Sequence, residues 1–213
     1  MTIRRILGAS AAFALLFAAT IAAAQAPTPP ASTAPPPVRV RGTIDSVDGS
    51  TINVTTRDGS KAVVKLADNG TILGITKASL SDIKQGGFVG ITAMPQPDGT
   101  QKAVEIHIFP EAMRGTGEGH RPWDLMPNST MTNATVDSEV AVSDGQKLVL
   151  KYKDGEQTFI VPANVIVVTY VPATAADLKP GAKFMVAAAA KQPDGTLVAQ
   201  RINVGLNGLS PPM

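Results

Sequence analysis

Gln96-Pro97-Asp98-Gly99-Thr100 returns later in the chain as Gln192-Pro193-Asp194-Gly195-Thr196. Outward from this pentapeptide, Asp58-Gly59 returns as Asp154-Gly155 at the same spacing. Asp82-Ile83-Lys84 returns as Asp177-Leu178-Lys179, one residue out of step, and Thr43-Ile44-Asp45 returns as Thr135-Val136-Asp137. Four matches in the same order mark an internal duplication. The copies span 38–109 and 131–205, and the second carries a short insertion just after Asp137.

Each copy reads as short strands joined by tight turns. Val38, Val40 and Ile44 alternate with Arg39, Arg41 and Asp45, and Ile52, Val54 and Thr56 alternate with Asn53, Thr55 and Arg57. Leu148, Leu150 and Tyr152 repeat that alternation in the second copy. Period-two alternation is the signature of a strand with one buried face. The Asp-Gly and Pro-Asp-Gly sites predict turns, because glycine accepts the positive φ that such turns demand. Met185 to Ala190 (MVAAAA) has helical propensity, but its counterpart is Val89 to Met94 (VGITAM), which is bracketed by turn signals. Both are therefore expected to be strands. Ser79 to Ile83 and Ala175 to Leu178 suit one short helical turn each.

Five or six short strands and one helical turn in about 70 residues predict a small closed barrel. The expected fold is all-β: two tandem small OB-like Greek-key β-barrels, each with one short helical turn. An eight-stranded lipocalin-like barrel is the alternative. Each copy resembles a widespread bacterial domain of unknown function found in exported proteins. The resemblance rests on Gly42-Thr43-Ile44, Asp58-Gly59, Ile83-Lys84-Gln85-Gly86 and Gln96 to Thr100, and the second copy departs from it with Ala134 in place of Gly42. The chain as a whole resembles exported two-repeat proteins built from that OB-like domain and often labelled metal ABC transporter permeases. The resemblance implies an OB-like fold and an extracytoplasmic location, and no particular activity.

The first residues read as an address. Arg4 and Arg5 precede an apolar run from Ile6 to Ala19, and Ala22-Ala23-Ala24 supplies small residues before Gln25. This predicts a signal peptide over 1–24, cleaved before Gln25, and a periplasmic or secreted protein. An uncleaved anchor is the rival reading. Residues 25–37 form a proline-rich tether, and 206–213 a short tail. No later segment is apolar enough to cross a membrane as a helix, which excludes a multi-span transporter.

The 213 residues are 44% hydrophobic, 17% charged and 4% aromatic, with no cysteine and two histidines. That composition excludes a disordered chain, a disulfide scaffold, a thiolate metal site and a cysteine nucleophile. The chain has 19 Lys and Arg against 17 Asp and Glu. Removing Arg4 and Arg5 leaves 17 against 17, so no basic surplus points to nucleic acid.

Residues 110–130 belong to neither copy, and they hold the only tryptophan. One reading is a packed connector, with Trp123, Leu125 and Met126 filling a groove between barrels. The functional reading is a binding loop that presents Arg114, His120, Arg121, Trp123 and Asp124 to an envelope protein or a small ligand. A metal site is a sharper alternative. Glu105 and His107 share a strand face, and with His120 and nearby carboxylates they could hold zinc or copper. The glycines from Gly115 to Gly119 lack the flanking strand, helix and Lys-Ser/Thr of a phosphate loop. No serine sits in a nucleophile elbow, so a hydrolase is the least supported reading. The expectation is an exported noncatalytic binding or accessory protein of the cell envelope.

Overall fold

The repeated pentapeptide is a turn in both copies. Gln96 N–H donates to the Thr100 carbonyl at 2.8 Å, and Thr100 N–H donates to Asp98 Oδ1 at 3.0 Å. The second copy makes the same two bonds at 2.8 and 2.9 Å. Gly99 and Gly195 take φ values of 82° and 87°, a region that other residues enter only with strain. The short helical turns also match. Ser79 N–H donates to Asp82 Oδ2, and Thr174 N–H donates to Asp177 Oδ2, so each turn is started by the same capping device.

The computed structural model describes residues 36–143 and 145–212. The expected signal peptide, and all of the tether except its last two residues, lie outside them. The first copy comprises β1 (Val38–Asp48), β2 (Thr51–Thr56), β3 (Lys61–Lys77), a 3₁₀ turn (Leu80–Asp82), β4 (Phe88–Pro95) and β5 (Gln101–Ile108). The connector carries a 3₁₀ turn (Glu111–Met113) and β6 (Gly119–Pro122). The second copy comprises β7 (Thr130–Val142), β8 (Gly145–Tyr152), β9 (Gly155–Pro162), β10 (Ile166–Pro172), a 3₁₀ turn (Ala175–Asp177), β11 (Lys183–Lys191) and β12 (Leu197–Gly205). The fold is all-β, and the alanine-rich β11 is a strand as expected. No helix among the described residues is long and apolar enough to cross a membrane.

The pairing of these strands differs from a barrel within each copy. β1 pairs β2, β2 pairs β3, β3 pairs β12, β12 pairs β11 and β11 pairs β1. That ring of five is closed, and it takes three strands from the first copy and two from the second. β7, β8, β9, β5 and β4 follow the same order, closed more lightly by two residue pairs between β9 and β5. Each copy thus gives its last two strands to the other. The reason lies in β3. Its 17 residues span more than 50 Å at about 3.3 Å per residue. The strand runs out of the first ring and pairs β10 over its last turnward residues, Leu73 to Lys77. The chain therefore leaves β3 beside the second ring, and β4 and β5 build there.

Burial follows this division. Val54, Val64, Phe184, Val186, Ile202 and Val204 fill one core with residues of both copies. Ile91, Ile106, Leu148, Leu150 and Phe159 fill the other in the same mixed way. A third cluster joins the two, with Ile75, Phe88, Phe109, Met131, Tyr170 and Met185. Its centre is the antiparallel pair Ile75 and Tyr170. These two are 95 residues apart, the same separation as Asp82 and Asp177. The contact between β3 and β10 is thus a meeting of equivalent strands about an approximate two-fold axis.

Candidate functional site

Four strands form the floor of a cleft at that junction. β12, β3, β10 and β5 lie side by side, with the outer pairs parallel and the central pair antiparallel. Register places Arg201 beside Thr71, Asn203 beside Leu73, Tyr170 beside Ile75 and His107 beside Val168. Residues two apart on a strand share a face, so His107 and Phe109, and Arg201 and Asn203, look the same way. The cleft above them has a volume of about 350 Å³. Met185 and Met131 wall it, and the connector closes over it with Gly117, Arg121 and Trp123. This size falls at the lower end of small-molecule sites.

His107 is the buried polar centre of the floor. Its Nδ1 lies 3.0 Å from Glu105 Oε1, and Glu105 Oε2 accepts from the Thr92 hydroxyl at 2.8 Å. Both residues are buried, at 3% and 1% exposure. The Nδ1 edge of the ring faces the Glu105 carboxyl group, and Nε2 faces Gly90. Phe109 meets the ring edge-on at 4.7 Å between centroids, and Tyr170 at 5.9 Å. Burial, then the Glu105 charge, push the Tyr170 phenol above its ordinary pKa.

Gly90 makes this arrangement possible. It pairs with His107 on one side and with Asn133 on the other. A methyl group there would collide with His107 Nε2 and with Asn133 Oδ1. The missing side chain lets the imidazole and the amide lie across the strand from both flanks, a close approach that only glycine allows. Asn133 donates from Nδ2 to the Thr116 carbonyl at 2.9 Å, and its Oδ1 has no hydrogen-bond partner. Asn203 Oδ1 has none either, and its Nδ2 reaches only the Met185 sulfur at 3.9 Å. These asparagines are 5% and 4% exposed, and both line the cleft. Buried amides without partners are rare, because each forfeits its bond to water.

The connector contributes part of what its sequence suggested. Arg121 and Trp123 line the cleft. Arg121 donates to the Gly117 carbonyl at 2.7 Å; burial, then the Arg39 charge, lower its pKa. Trp123 lies under Arg39, whose guanidinium carbon is 3.7 Å from the ring centroid. Its indole Nε1 is buried without a partner. Asp124 braces this stack through Arg39 and Arg41, each at 2.9 Å. Burial works to raise the Asp124 pKa, but the two arginines outweigh it and hold it at about 2.

Arg114 and His120 stand elsewhere. Arg114 grips Glu111 with two nitrogens, at 2.6 and 2.7 Å, and donates to the Gly86 carbonyl at 2.9 Å. It clasps the connector to the turn before β4. His120 Nδ1 lies 2.7 Å from the Thr132 hydroxyl. Burial, then the Arg121 charge, lower its pKa. Thr132 and Asn133 are neighbours on β7 and point to opposite faces, so His120 sits across the strand from the cleft. The structure therefore brings Glu105 and His107 into contact but turns His120 away from them. Among the described residues no three His, Cys, Asp or Glu side chains are gathered as metal ligands.

The sequence reading missed Asn133, Asn203 and Gly90. The repeat held a signal for Asn203, since it matches His107, but nothing in the pattern marked its amide as buried. Comparisons with family models, with curated proteins and with solved structures found no match.

Proposed function

We propose that this chain is an exported noncatalytic binding protein of the cell envelope, and that the cleft between its two rings takes a small molecule. The observation that carries the reading is the pair of asparagines, Asn133 and Asn203, which line the cleft and whose buried carbonyl oxygens have no partner. A ligand that donates to them recovers what their burial costs, about 1–3 kcal/mol for each group. The aromatic and methionine walls supply apolar contact, the usual composition of such sites. Export is supported by the residue pattern of 1–24. Each ring is read as an OB-like barrel in which equivalent strands have been exchanged between the copies, since both rings keep one strand order and one parallel closure.

The test is an NMR titration with a panel of one-ring fragments that are acidic, basic or neutral. The signals followed are the Trp123 indole N–H and the side-chain amides of Asn133 and Asn203. Shifts concentrated on these groups for any fragment support the reading. Shifts scattered over the surface, or none with the whole panel, overturn it.

A further inference from the structure

Resting on the binding reading, the charges around the cleft narrow the ligand's chemistry. Arg121 and Arg201 both line it, and neither is in an ion pair among the described residues. Arg201 lies close enough to Tyr170 for its charge to act on the phenol. The two carboxylates nearest by contact are already engaged: Asp124 by Arg39 and Arg41, and Glu105 by His107 and Thr92. Neither carboxylate is part of the cleft lining. The cleft is therefore positive, in a chain whose overall charge is almost balanced. Its walls are flat. Phe109 and Tyr170 stack at 5.4 Å with 19° between their planes, and Trp123 stands in the connector above.

We infer that the ligand is a flat, ring-bearing organic acid that also carries a hydroxyl or N–H donor. The acid group meets Arg121 and Arg201. The ring lies between the aromatic and methionine walls. The donor end reaches Asn133 Oδ1 and Asn203 Oδ1. Guanidinium–carboxylate bonds are charge-assisted, so the acid group supplies much of the selectivity.

Three probes with one ring and different charge separate the alternatives: 4-hydroxyphenylacetate (anion), tyramine (cation) and p-cresol (neutral). The readouts are calorimetry and the fluorescence of Trp123, the only tryptophan of the chain. The expected result is that the acid binds at least about tenfold tighter than either control, a gap of about 1.4 kcal/mol. Arg201→Gln and Arg121→Gln, each checked for unchanged circular dichroism, should weaken the acid about fivefold or more and leave p-cresol unchanged. Arg201→Gln tests the idea at an exposed position where folding is not at stake. If tyramine or p-cresol binds as well as the acid, or if both arginine variants keep full affinity for it, the acid inference fails and the cleft remains a binding site. If none of the three binds, the acid inference fails. The wider fragment panel then decides whether the binding reading fails with it.

Discussion

His107 and Asn203 occupy the same position in the two copies, 96 residues apart, and both line one cleft. The separation equals that between Gln96 and Gln192. Their strands, β5 and β12, are the outer members of the four-stranded floor. Because β3 and β10 pair about an approximate two-fold axis, equivalent positions face each other across it. Duplication thus produced two like positions, and divergence filled one with imidazole and the other with amide. Glu105 and Arg201 diverged in the same way, leaving a carboxylate beneath His107 and a cation at the rim beside Asn203.

Gly90→Ala is expected to disturb the cleft from below. The added methyl group has no room beside His107 Nε2 and Asn133 Oδ1. Overpacking of this kind costs about 1–3 kcal/mol. For a domain of this size that lowers the melting temperature by about 2–4 °C per kcal/mol. Calorimetry should show the drop, together with altered His107 ring signals by NMR. A variant with unchanged melting and unchanged His107 signals would mean the imidazole does not lie over Gly90.

Asn203→Leu is expected to raise stability. The substitution removes a buried carbonyl oxygen that lacks a partner and replaces it with apolar volume, worth on the order of 1 kcal/mol. The urea midpoint should rise while binding of any cleft ligand weakens. This opposition of stability and binding marks a site kept for function. A fall in the urea midpoint would indicate that the amide is satisfied in solution and serves the fold.

Asp124 should add an acid-sensitive step to stability. Its folded pKa of about 2 lies below the ordinary value of 3.8. A depressed carboxylate contributes stability that is present above its unfolded pKa and is lost as pH falls through the folded one. The window therefore runs from about pH 4 down to about pH 2. The side chain is half exposed, so solvent screening limits the effect to about 0.5–1 kcal/mol. Asp124→Asn should flatten this part of the stability profile in urea unfolding between pH 5 and pH 2. An identical profile in the variant would show that the pairs with Arg39 and Arg41 add nothing.

Much of the local structure is legible in the residues, for reasons of chemistry. The Pro-Asp-Gly turns, the capped 3₁₀ turns and the strand character of β11 follow from glycine conformation, side-chain capping and the repeat. Partner choice is not legible in the same way. β4 and β11 match in pattern, as do β5 and β12, so either copy's strands satisfy the same ring. The decision falls to the length of β3, which carries the chain past the first ring. The burial of Glu105 and His107 also escaped the pattern. Ile106 and Ile108 mark one buried face of β5, and alternation then suggests that the other face meets water. Here that face is covered by the joining cluster and the connector. Of the connector residues singled out by scarcity and type, Trp123 and Arg121 lie at the cleft. Arg114 and His120 have the same chemistry but spend it on local hydrogen bonds.

The exchange of strands between the copies creates the cleft, and a cysteine-free chain allows it to be tested directly. Thr43 on β1 pairs with Lys183 on β11, and Lys183 Nζ donates to Thr43 Oγ1 at 2.6 Å. In a barrel confined to the first copy, Thr43 would instead pair with Phe88, the residue that its counterpart Thr135 faces on β4. Facing antiparallel residues are close enough for a disulfide. Under mild oxidation, Thr43→Cys with Lys183→Cys should close an intramolecular disulfide, detected by peptide mass mapping, and Thr43→Cys with Phe88→Cys should not. Closure of the second pair in place of the first would contradict the exchanged fold and the cleft it builds.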